Sequence, residues 1–320
     1  MKKGKIHSVT GVVDPAERLF FQSHEHLLIG QGHSGEINSA LCFEDYEKSL
    51  QELKAYHLAG GEALTDAQPV GCGRMAAELQ RLSEESKVVI VASTGFHKML
   101  FYPEGHWNFT LSETMLADIY INELTVGMYQ DSDMQIPSKQ ILAQAGQIKT
   151  AIEASVMDVQ YQKLFSAAAY AAVETGAPFM IHVENGCSPE KYLDFLIKKG
   201  VKPEQMIFCH MDRACTDLGL HKAFARAGVF LEYDTIAREK YHSDERELEI
   251  FHEMIEEGLE DRLLFSLDTT RQRMKFYGGE VGLDYILKTF LGKMKDSGIP
   301  QSIIKKFSRD NPSQAFAWMH

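Results

Sequence analysis

The stretch that decides the fold is Arg18-Leu19-Phe20-Phe21-Gln22-Ser23-His24-Glu25-His26, in which an apolar run leads directly into a pair of histidines. The apolar run predicts a β-strand over residues 18–22. Alternate side chains of an extended chain share a face, so both imidazoles can point toward one ion. The stretch therefore predicts a strand followed by a metal-binding pair, although a lone His-x-His also occurs by chance on surface loops.

The composition favours a globular enzyme that acts on a small molecule. The chain has 320 residues, of which 44% are apolar and 24% are charged, as in ordinary globular enzymes. Its formal net charge of -12 argues against a nucleic-acid groove, because phosphate backbones are bound by clustered Lys and Arg side chains. We therefore expect a small-molecule partner and no nucleic acid.

The chain carries no sequence signal for a membrane or for disulfide bonds. Its first eight residues contain three lysines but no apolar stretch long enough for a signal peptide, and no apolar run reaches membrane-spanning length. The five cysteines are odd in number and lack Cys-x-x-Cys spacing, which predicts reduced thiols. These features predict a cytoplasmic protein without a membrane partner.

Short runs rich in β-branched and aromatic residues alternate along the chain with longer segments of helical period. We predict eight strands, at residues 18–22, 63–66, 88–93, 146–152, 178–183, 206–209, 228–233 and 262–267. We predict helices at residues 46–58, 74–85, 112–126, 159–174, 189–198, 218–227, 245–257 and 281–295. Strands that alternate with helices in this way indicate an α/β protein, a (β/α)8 TIM barrel with parallel strands.

The series of strands and helices is not broken by a Pro/Gly/Ser-rich linker, so we predict one domain over residues 1–320. Residues 101–144 form a wide insertion, whose role as a lid is left open, and residues 302–319 close the chain with helix. A doubly wound open sheet is the alternative fold. It has less support, because no Gly-x-Gly-x-x-Gly follows the first strand.

Four further polar residues fall at or near the ends of predicted strands. Lys149 lies in strand four, His182 in strand five, His210 just after strand six, and Asp268 at the end of strand eight. In a barrel the carboxyl ends of the strands converge on one mouth, where barrel enzymes keep their active sites. Together with the His-x-His pair, these residues form a nitrogen and oxygen ligand set suited to zinc, manganese, cobalt or iron.

Each of these residues has a structural explanation when it is considered alone. Lys149 could pair with a nearby acid such as Glu153, and Asp268 could cap the segment that follows it. A single histidine is more often a hydrogen-bonded core residue than a ligand. Their placement at successive strand ends favours the metal site. We leave Glu25 out of the site, because strand alternation points it away from its neighbours.

Several segments carry a family resemblance. They are Ser23-His24-Glu25-His26, Gly146-Gln147-Ile148-Lys149, Ile181-His182-Val183, Cys209-His210-Met211-Asp212 and Ser266-Leu267-Asp268, together with Thr94-Gly95-Phe96, Phe101-Tyr102-Pro103 and Asn311-Pro312. This arrangement, nearly end to end, resembles the phosphotriesterase-like branch of the amidohydrolase superfamily. Five separate strand ends must agree for the ligand set to match, which makes the resemblance more specific than any single motif.

The resemblance implies a binuclear metal centre. His24, His26 and Asp268 would hold the more buried ion, His182 and His210 the more exposed one, and Lys149 would bridge them as a carbamate. Carboxylation turns the amine into an anionic group that can span two cations, which an ammonium cannot do. We expect two divalent ions, zinc first and manganese or cobalt as alternatives.

Two adjacent cations imply hydrolysis. A bridging water becomes hydroxide near neutral pH, while one metal polarises the oxygen of the electrophile. The resemblance gives Asp268 the catalytic role of accepting the proton of that water and passing it to the leaving oxygen.

Cationic and aromatic residues cluster after strands seven and eight of this acidic chain. They are Arg238, Lys240, Tyr241 and His242 after strand seven, and Arg271, Arg273, Lys275 and Tyr277 after strand eight. In barrel enzymes these two loops often bind phosphate, although a solvated basic patch is the alternative. The two loops also resemble those of the phosphorylated sugar-lactone lactonases of this family, and the resemblance implies Lys240 and Arg271 as the first phosphate contacts. We expect further substrate contacts from Arg238, Arg273, Tyr277 and His97.

The leading hypothesis is a metal-dependent lactonase that opens an anionic lactone, most simply a phosphorylated sugar lactone, as some bacterial members of the resembled family do. The alternative is another hydrolase with the same centre: a phosphotriesterase, a carboxylesterase or an acyl-homoserine lactonase. The substrates of such enzymes are neutral or hydrophobic, and they would favour apolar loops. A non-catalytic metal-binding barrel would need a broken ligand set. The resemblance also implies a homodimer.

Overall fold

A computed structural model of the chain describes residues 4–130, 132–153 and 156–319. Eight strand positions alternate with helices along these residues, as the sequence predicts. The strands are β1 (Phe21–Glu25), β2 (Ala63–Asp66), β3 (Val89–Val91 and Ser93–Gly95), β4 (Gln147–Ile152), β5 (Phe179–Val183), β6 (Met206–Cys209), β7 (Phe230–Tyr233) and β8 (Leu263–Phe265). Every strand is therefore found where the sequence places one; the bounds of β2 and β6 are those predicted, and the others differ by a few residues.

The strands pair in parallel and in chain order. β1 pairs with β2 and β2 with the first segment of β3, while the second segment of β3 begins a ladder that runs through β4, β5, β6 and β7 to β8. Hydrogen bonds cross the remaining seam between β8 and β1. The amide of Asp268 donates to the carbonyl of His24 (3.0 Å), and the Ser23 hydroxyl donates to the Phe265 carbonyl (3.1 Å). The fold is a (β/α)8 barrel, not a doubly wound sheet.

The helices that follow the strands cover the outside of the barrel. They are α1 (Tyr46–Leu58), α2 (Ala76–Ser86), α3 (Glu113–Thr125), α4 (Val159–Thr175), α5 (Pro189–Lys198), α6 (Leu218–Ala227) and α7 (Asp244–Glu256), followed by π-helical Ile286–Phe290 and α8 (Leu291–Asp296). The chain closes with Gln301–Lys305, π-helical Lys306–Asp310 and Asn311–Ala315. Short helices also occur at His33–Ile37, Trp107–Thr110 and Met211–Ala214, and short antiparallel pairs join Ile6–Ser8 to Gly11–Val13 and Tyr129–Gln130 to Lys139–Gln140.

The inside of the barrel is filled by apolar side chains from most of the strands. These buried residues form one cluster, which includes Phe21, Ala63, Val91, Met180, Ile207, Phe230 and Leu264. Phe316 of the closing segment belongs to the same cluster and stacks on Phe21, with 4.7 Å between ring centroids. A larger apolar cluster lies between the strands and the outer helices. The barrel is therefore a packed core, and polar groups are left for the ends of the strands.

The insertion at residues 101–144 contains α3 and a short two-stranded pair. A buried bidentate ion pair anchors α3 to the barrel: the Arg74 guanidinium donates to both carboxylate oxygens of Glu123, at 2.7 and 2.5 Å. Residue 131 of this insertion lies outside the described residues, as do residues 1–3, 154–155 and 320 of the predicted domain.

Two element bounds differ from the sequence prediction for local backbone reasons. A turn at Pro15–Glu17 ends in Arg18 with φ 51°, which delays β1 until Phe21 and places His24 inside the strand. The helix predicted to begin at residue 281 begins at Ile286, after Gly282 with φ 72°. All five cysteines are unpaired, and no helix of the described residues is long and apolar enough to cross a membrane.

Candidate metal centre and active-site cavity

A cavity of about 660 Å³ lies at the carboxyl ends of the strands. Its wall includes His24, His26, His97, His182, His210 and Asp268. Lys149 is fully buried in β4, next to His24. The barrel thus brings together the side chains that the sequence placed on β1, β4, β5, β6 and β8.

The first half of the cluster has the spacing of metal ligands. Oδ1 of Asp268 lies 3.8 Å from Nε2 of His24 and 3.5 Å from Nε2 of His26. Ligand atoms about 2.0–2.2 Å from a tetrahedral ion are roughly 3.4 Å apart, so these three side chains fit one ion with little movement. Nζ of Lys149 is 3.1 Å from the same nitrogen of His24. No contact joins Lys149 to Glu153 among the described residues.

The second half of the cluster is a histidine pair. Nδ1 of His182 and Nε2 of His210 are 2.7 Å apart, which is a hydrogen-bond distance rather than the separation of two ligands. Their rings would have to move apart slightly to share an ion. Burial lowers the pKa of His182 to about 3 and that of His24 to about 4. The imidazoles are therefore neutral at pH 7, which is the form that binds metals.

Carboxylates orient the ring nitrogens on the far side of these histidines. Glu232 of β7 lies 3.0 Å from Nδ1 of His24, and Asp234 lies 2.7 Å from Nδ1 of His210. Glu232 and Asp234 are fully buried. Such carboxylate partners fix the ring tautomer and raise the basicity of a metal-binding histidine. Sequence reasoning missed both residues, although an acidic Glu-x-Asp at the end of strand seven was an available signal.

Asp268 is held by cations as well as by histidines. Its Oδ2 is 3.1 Å from Nη2 of Arg213 and 3.0 Å from Nη1 of Arg238. Burial acts to raise the pKa of Asp268, but Arg238 and the neighbouring histidines outweigh it and hold that pKa well below the usual range. Asp268 is thus a carboxylate at neutral pH, available as a ligand and as a proton acceptor.

Glu25 has a role that its sequence position did not suggest. Its buried carboxylate accepts hydrogen bonds from the amides of Leu267 and Thr269, both at 3.0 Å, and from the Thr269 hydroxyl. Gln22 also donates to it, at 2.7 Å. Through these contacts Glu25 braces the segment that carries Asp268. Asp268 itself has φ 47°, a strained conformation for a residue with a side chain.

The loops after β7 and β8 contribute unequally to the cavity. Arg238 and the exposed Lys240 line it, and Lys240 lies over the ring of Tyr241, 4.7 Å from its centroid. Arg273 also borders it, but its buried guanidinium donates to backbone carbonyls, at 2.6 Å to Ile236 and also to Leu267. Arg273 therefore joins the two loops to each other.

Two of the predicted substrate contacts lie outside this cavity. Arg271 and Tyr277 line a neighbouring cavity of about 570 Å³, which shares Gln272, Gly278 and Gly279 with the first. The Tyr277 hydroxyl donates to the Asp45 carbonyl at 2.7 Å. The sequence could not foresee this division, because it depends on the path of the loop.

A (β/α)8 barrel with histidines, an aspartate and a buried lysine gathered at the strand ends defines a class of metal-dependent hydrolases. Comparison with known families identifies the branch. The model of the phosphotriesterase family matches residues 4–316, and the chain belongs to this family. It is therefore a hydrolase of a metal-dependent family, and the side chains above are its candidate ligands.

Relatives and solved structures agree with this assignment over nearly the whole chain. The N-acetyltaurine hydrolase of Danio rerio is 25% identical, covering 98% of this chain and 97% of the relative. The phospho-furanose lactonase of Mycoplasmopsis synoviae (strain 53) is 24% identical, covering 95% of this chain and 89% of the relative. The crystal structure of a lactonase from Listeria monocytogenes superimposes with a TM-score of 0.89 at 26% identity, covering 99% of this chain and 100% of that one.

Proposed function

We propose that this chain, over residues 1–320, is a lactonase that hydrolyses an anionic lactone, most simply a phosphorylated sugar lactone, at a binuclear metal centre. The observation that carries the proposal is that Lys240 lines the same cavity as the histidine cluster and Asp268. A carbonyl at the cluster and an anionic group at the mouth would then be bound in one cavity.

The ligand assignment follows the two halves of the cluster. His24, His26 and Asp268 would hold one ion, His182 and His210 the other, and a carboxylated Lys149 would bridge the two. Two such ions, when bound, would supply a nucleophilic hydroxide near neutral pH and would polarise the lactone carbonyl. Zinc is our first choice, because neutral imidazoles and carboxylates without thiolates suit it.

Asp268 transfers the proton of the attacking water, and neighbouring side chains hold Asp268 in place. A carboxylate oxygen of Asp268 accepts the proton of the attacking water and passes it to the ring oxygen of the lactone as the ester bond breaks. Arg213 and Arg238 keep this carboxylate ionised beforehand and hold its orientation. Glu25 fixes the backbone on both sides of it, through Leu267 and Thr269.

The anionic end of the substrate is assigned to Lys240. Arg238 and Arg273 are engaged with Asp268 and with backbone carbonyls, whereas Lys240 forms no ion pair within the described parts of the chain. Arg271, in the adjoining cavity, would reach only a longer substrate. Lys240 could equally bind a sulfonate, so the amide N-acetyltaurine, named for the Danio rerio relative, is the second candidate substrate.

The test compares matched substrates on enzyme reconstituted with zinc and bicarbonate. A sugar 1,4-lactone is assayed with and without a 5-phosphate, and N-acetyltaurine is assayed beside both. We expect kcat/KM to be highest for the phosphorylated lactone. Equal rates on the two lactones would refute the phosphate assignment, and faster cleavage of N-acetyltaurine would make the protein an amidase.

The proposal also carries the predictions of a homodimer and of a cytoplasmic location. The unpaired cysteines are compatible with a reducing compartment. Light scattering of the purified protein measures its mass in solution, and cell fractionation reports its location.

A further inference from the structure

A second cluster of metal-ligand side chains lies behind the loops that follow β6 and β7. It consists of Asp212, His242 and Glu247, and one ligand atom from each lies within 4.8 Å of the other two. Asp212 and Glu247 are buried, and His242 is partly exposed. The cluster is separate from the candidate ligands of the histidine cluster and is not used in the hydrolysis proposed above.

Glu247 is the least satisfied member of the cluster. It lies on α7 with its side chain fully buried, yet neither carboxylate oxygen has a hydrogen-bond partner among the described residues. A buried carboxyl group without hydrogen-bond partners is destabilising unless a proton or a cation compensates it. Burial and the neighbouring Asp212 carboxylate both disfavour the charged form and raise the pKa of Glu247 well above its usual range, so that a bound cation would be needed to hold it as a carboxylate.

His242 presents a lone pair to these carboxylates. Its Nδ1 is 3.1 Å from the Ser243 carbonyl, which can only accept, so Nδ1 carries the proton of the neutral ring. Its Nε2 then presents a lone pair toward Oε2 of Glu247, 3.3 Å away, and has no hydrogen-bond partner in the described residues. An imidazole that donates one nitrogen to a carbonyl and presents the other is the usual arrangement of a metal-binding histidine.

Nearby cations are engaged elsewhere. Arg213, which follows Asp212, forms ion pairs with Asp234 and Asp268. Asp212 itself accepts from the Thr235 amide at 2.6 Å and the Arg213 amide at 3.0 Å, which holds its carboxylate in place. A protonated His242 could neutralise only one of the two carboxylates.

We propose that Asp212, His242 and Glu247 bind a divalent cation of the zinc and manganese class, in addition to the ions of the histidine cluster. One imidazole and two carboxylates are a ligand set suited to these ions. The ion would tie α7 to the segment after β6 and to the loop after β7, which carries Arg238 and Lys240. It would order the substrate loop without touching the substrate.

The test counts ions in the full-length protein. Wild type and variants are reconstituted with Zn²⁺, dialysed against metal-free buffer and analysed by plasma mass spectrometry. Glu247→Gln and His242→Asn should each retain one zinc fewer per chain than wild type. Glu249→Gln, an exposed position on the same helix, is the matched control and should retain the wild-type number. Because the result is a difference between variants, it does not depend on the occupancy or activity of the histidine cluster.

Equal zinc content in wild type and in both cluster variants would overturn the proposal, leaving a shared proton as the partner of Glu247. If Glu247→Gln does not fold, the partly exposed His242→Asn and the wild-type crystal still decide. An anomalous difference map of wild type at the zinc edge should contain a peak about 2.0–2.1 Å from Nε2 of His242. A map with no peak there refutes the site.

Discussion

The histidine cluster and the loop that carries Lys240 face the same cavity but are built differently. The cluster side chains lie on or beside strands, are largely buried, and are oriented by carboxylates such as Glu232 and Asp234. Lys240 is exposed on a loop, where its one described contact is the ring of Tyr241. The difference suggests that reactivity is fixed by the barrel and substrate choice by the loops, so that the two can be altered separately.

The largest effect on the histidine cluster is expected from Lys149→Ala. Removal of a bridging ligand should cost more than the roughly 10–100-fold loss typical of a partner outside the first shell of ligands, because both ions lose a bond. Steady-state kinetics and metal content measure the effect. Lys149→Met, which fills the buried space but cannot be carboxylated, separates the loss of the ligand from loss of packing. Retention of two ions by either variant would overturn the carbamate bridge.

A smaller effect on the same region is expected from Glu232→Gln. The change removes the negative charge beside Nδ1 of His24 and should weaken zinc affinity by about 10–100-fold. Competition with a zinc chelator measures the affinity. Ser266→Ala is the control, because Ser266 contacts the other oxygen of Glu232, 3.1 Å away. If both variants bound zinc as wild type does, Glu232 would have no part in tuning the centre.

Lys240→Ala tests the contribution of the loop after β7 to substrate binding. Loss of a charge-assisted contact at an exposed site should raise KM for a phosphorylated lactone about tenfold and leave kcat unchanged. The neutral lactone should be unaffected. Arg271→Ala should raise KM less, because Arg271 lines the adjoining cavity. An equal rise in KM on both lactones would mean that Lys240 shapes the cavity and does not bind the phosphate.

Salt should produce the smallest effect and should act on the loop alone. Raising the ionic strength from about 0.1 to about 1 M shortens the screening length from roughly 10 to 3 Å. KM for the phosphorylated lactone should therefore rise a few-fold, whereas kcat for the neutral lactone should stay constant because the buried cluster is hardly screened. A parallel change for both substrates would point to a general effect on the protein.

The sequence predicted the barrel because its signals are local. The helices α1, α5 and α6 have the bounds that hydrophobic periodicity gave them, and eight strand positions were found in order. The candidate ligands could be placed for the same reason, since each lies in or just after a predicted strand. The turn that ends at Arg18 shifts the start of β1 toward the C-terminus. The left-handed backbone of Arg18 could not be predicted from the sequence.

Contacts between distant residues could not be predicted. Glu232 meets His24 across 208 residues, and Glu25 meets Leu267 across 242, so neither partner is visible from its own neighbourhood. The positions of side chains in the loop after β8 were harder still to predict. Arg271 and Arg273 are two residues apart, yet Arg271 lines an adjoining cavity whereas the guanidinium of Arg273 donates to backbone carbonyls.

The hydrogen bonds of Glu25 also constrain the order in which the protein can fold. Leu267 and Thr269, which satisfy its carboxylate, leave the ribosome 242 and 244 residues later. A nascent chain therefore cannot close the seam between its first and last strands until most of it has been made, and such distant pairings are slow to form. The three candidate ligands His24, His26 and Asp268 therefore cannot come together before this seam closes.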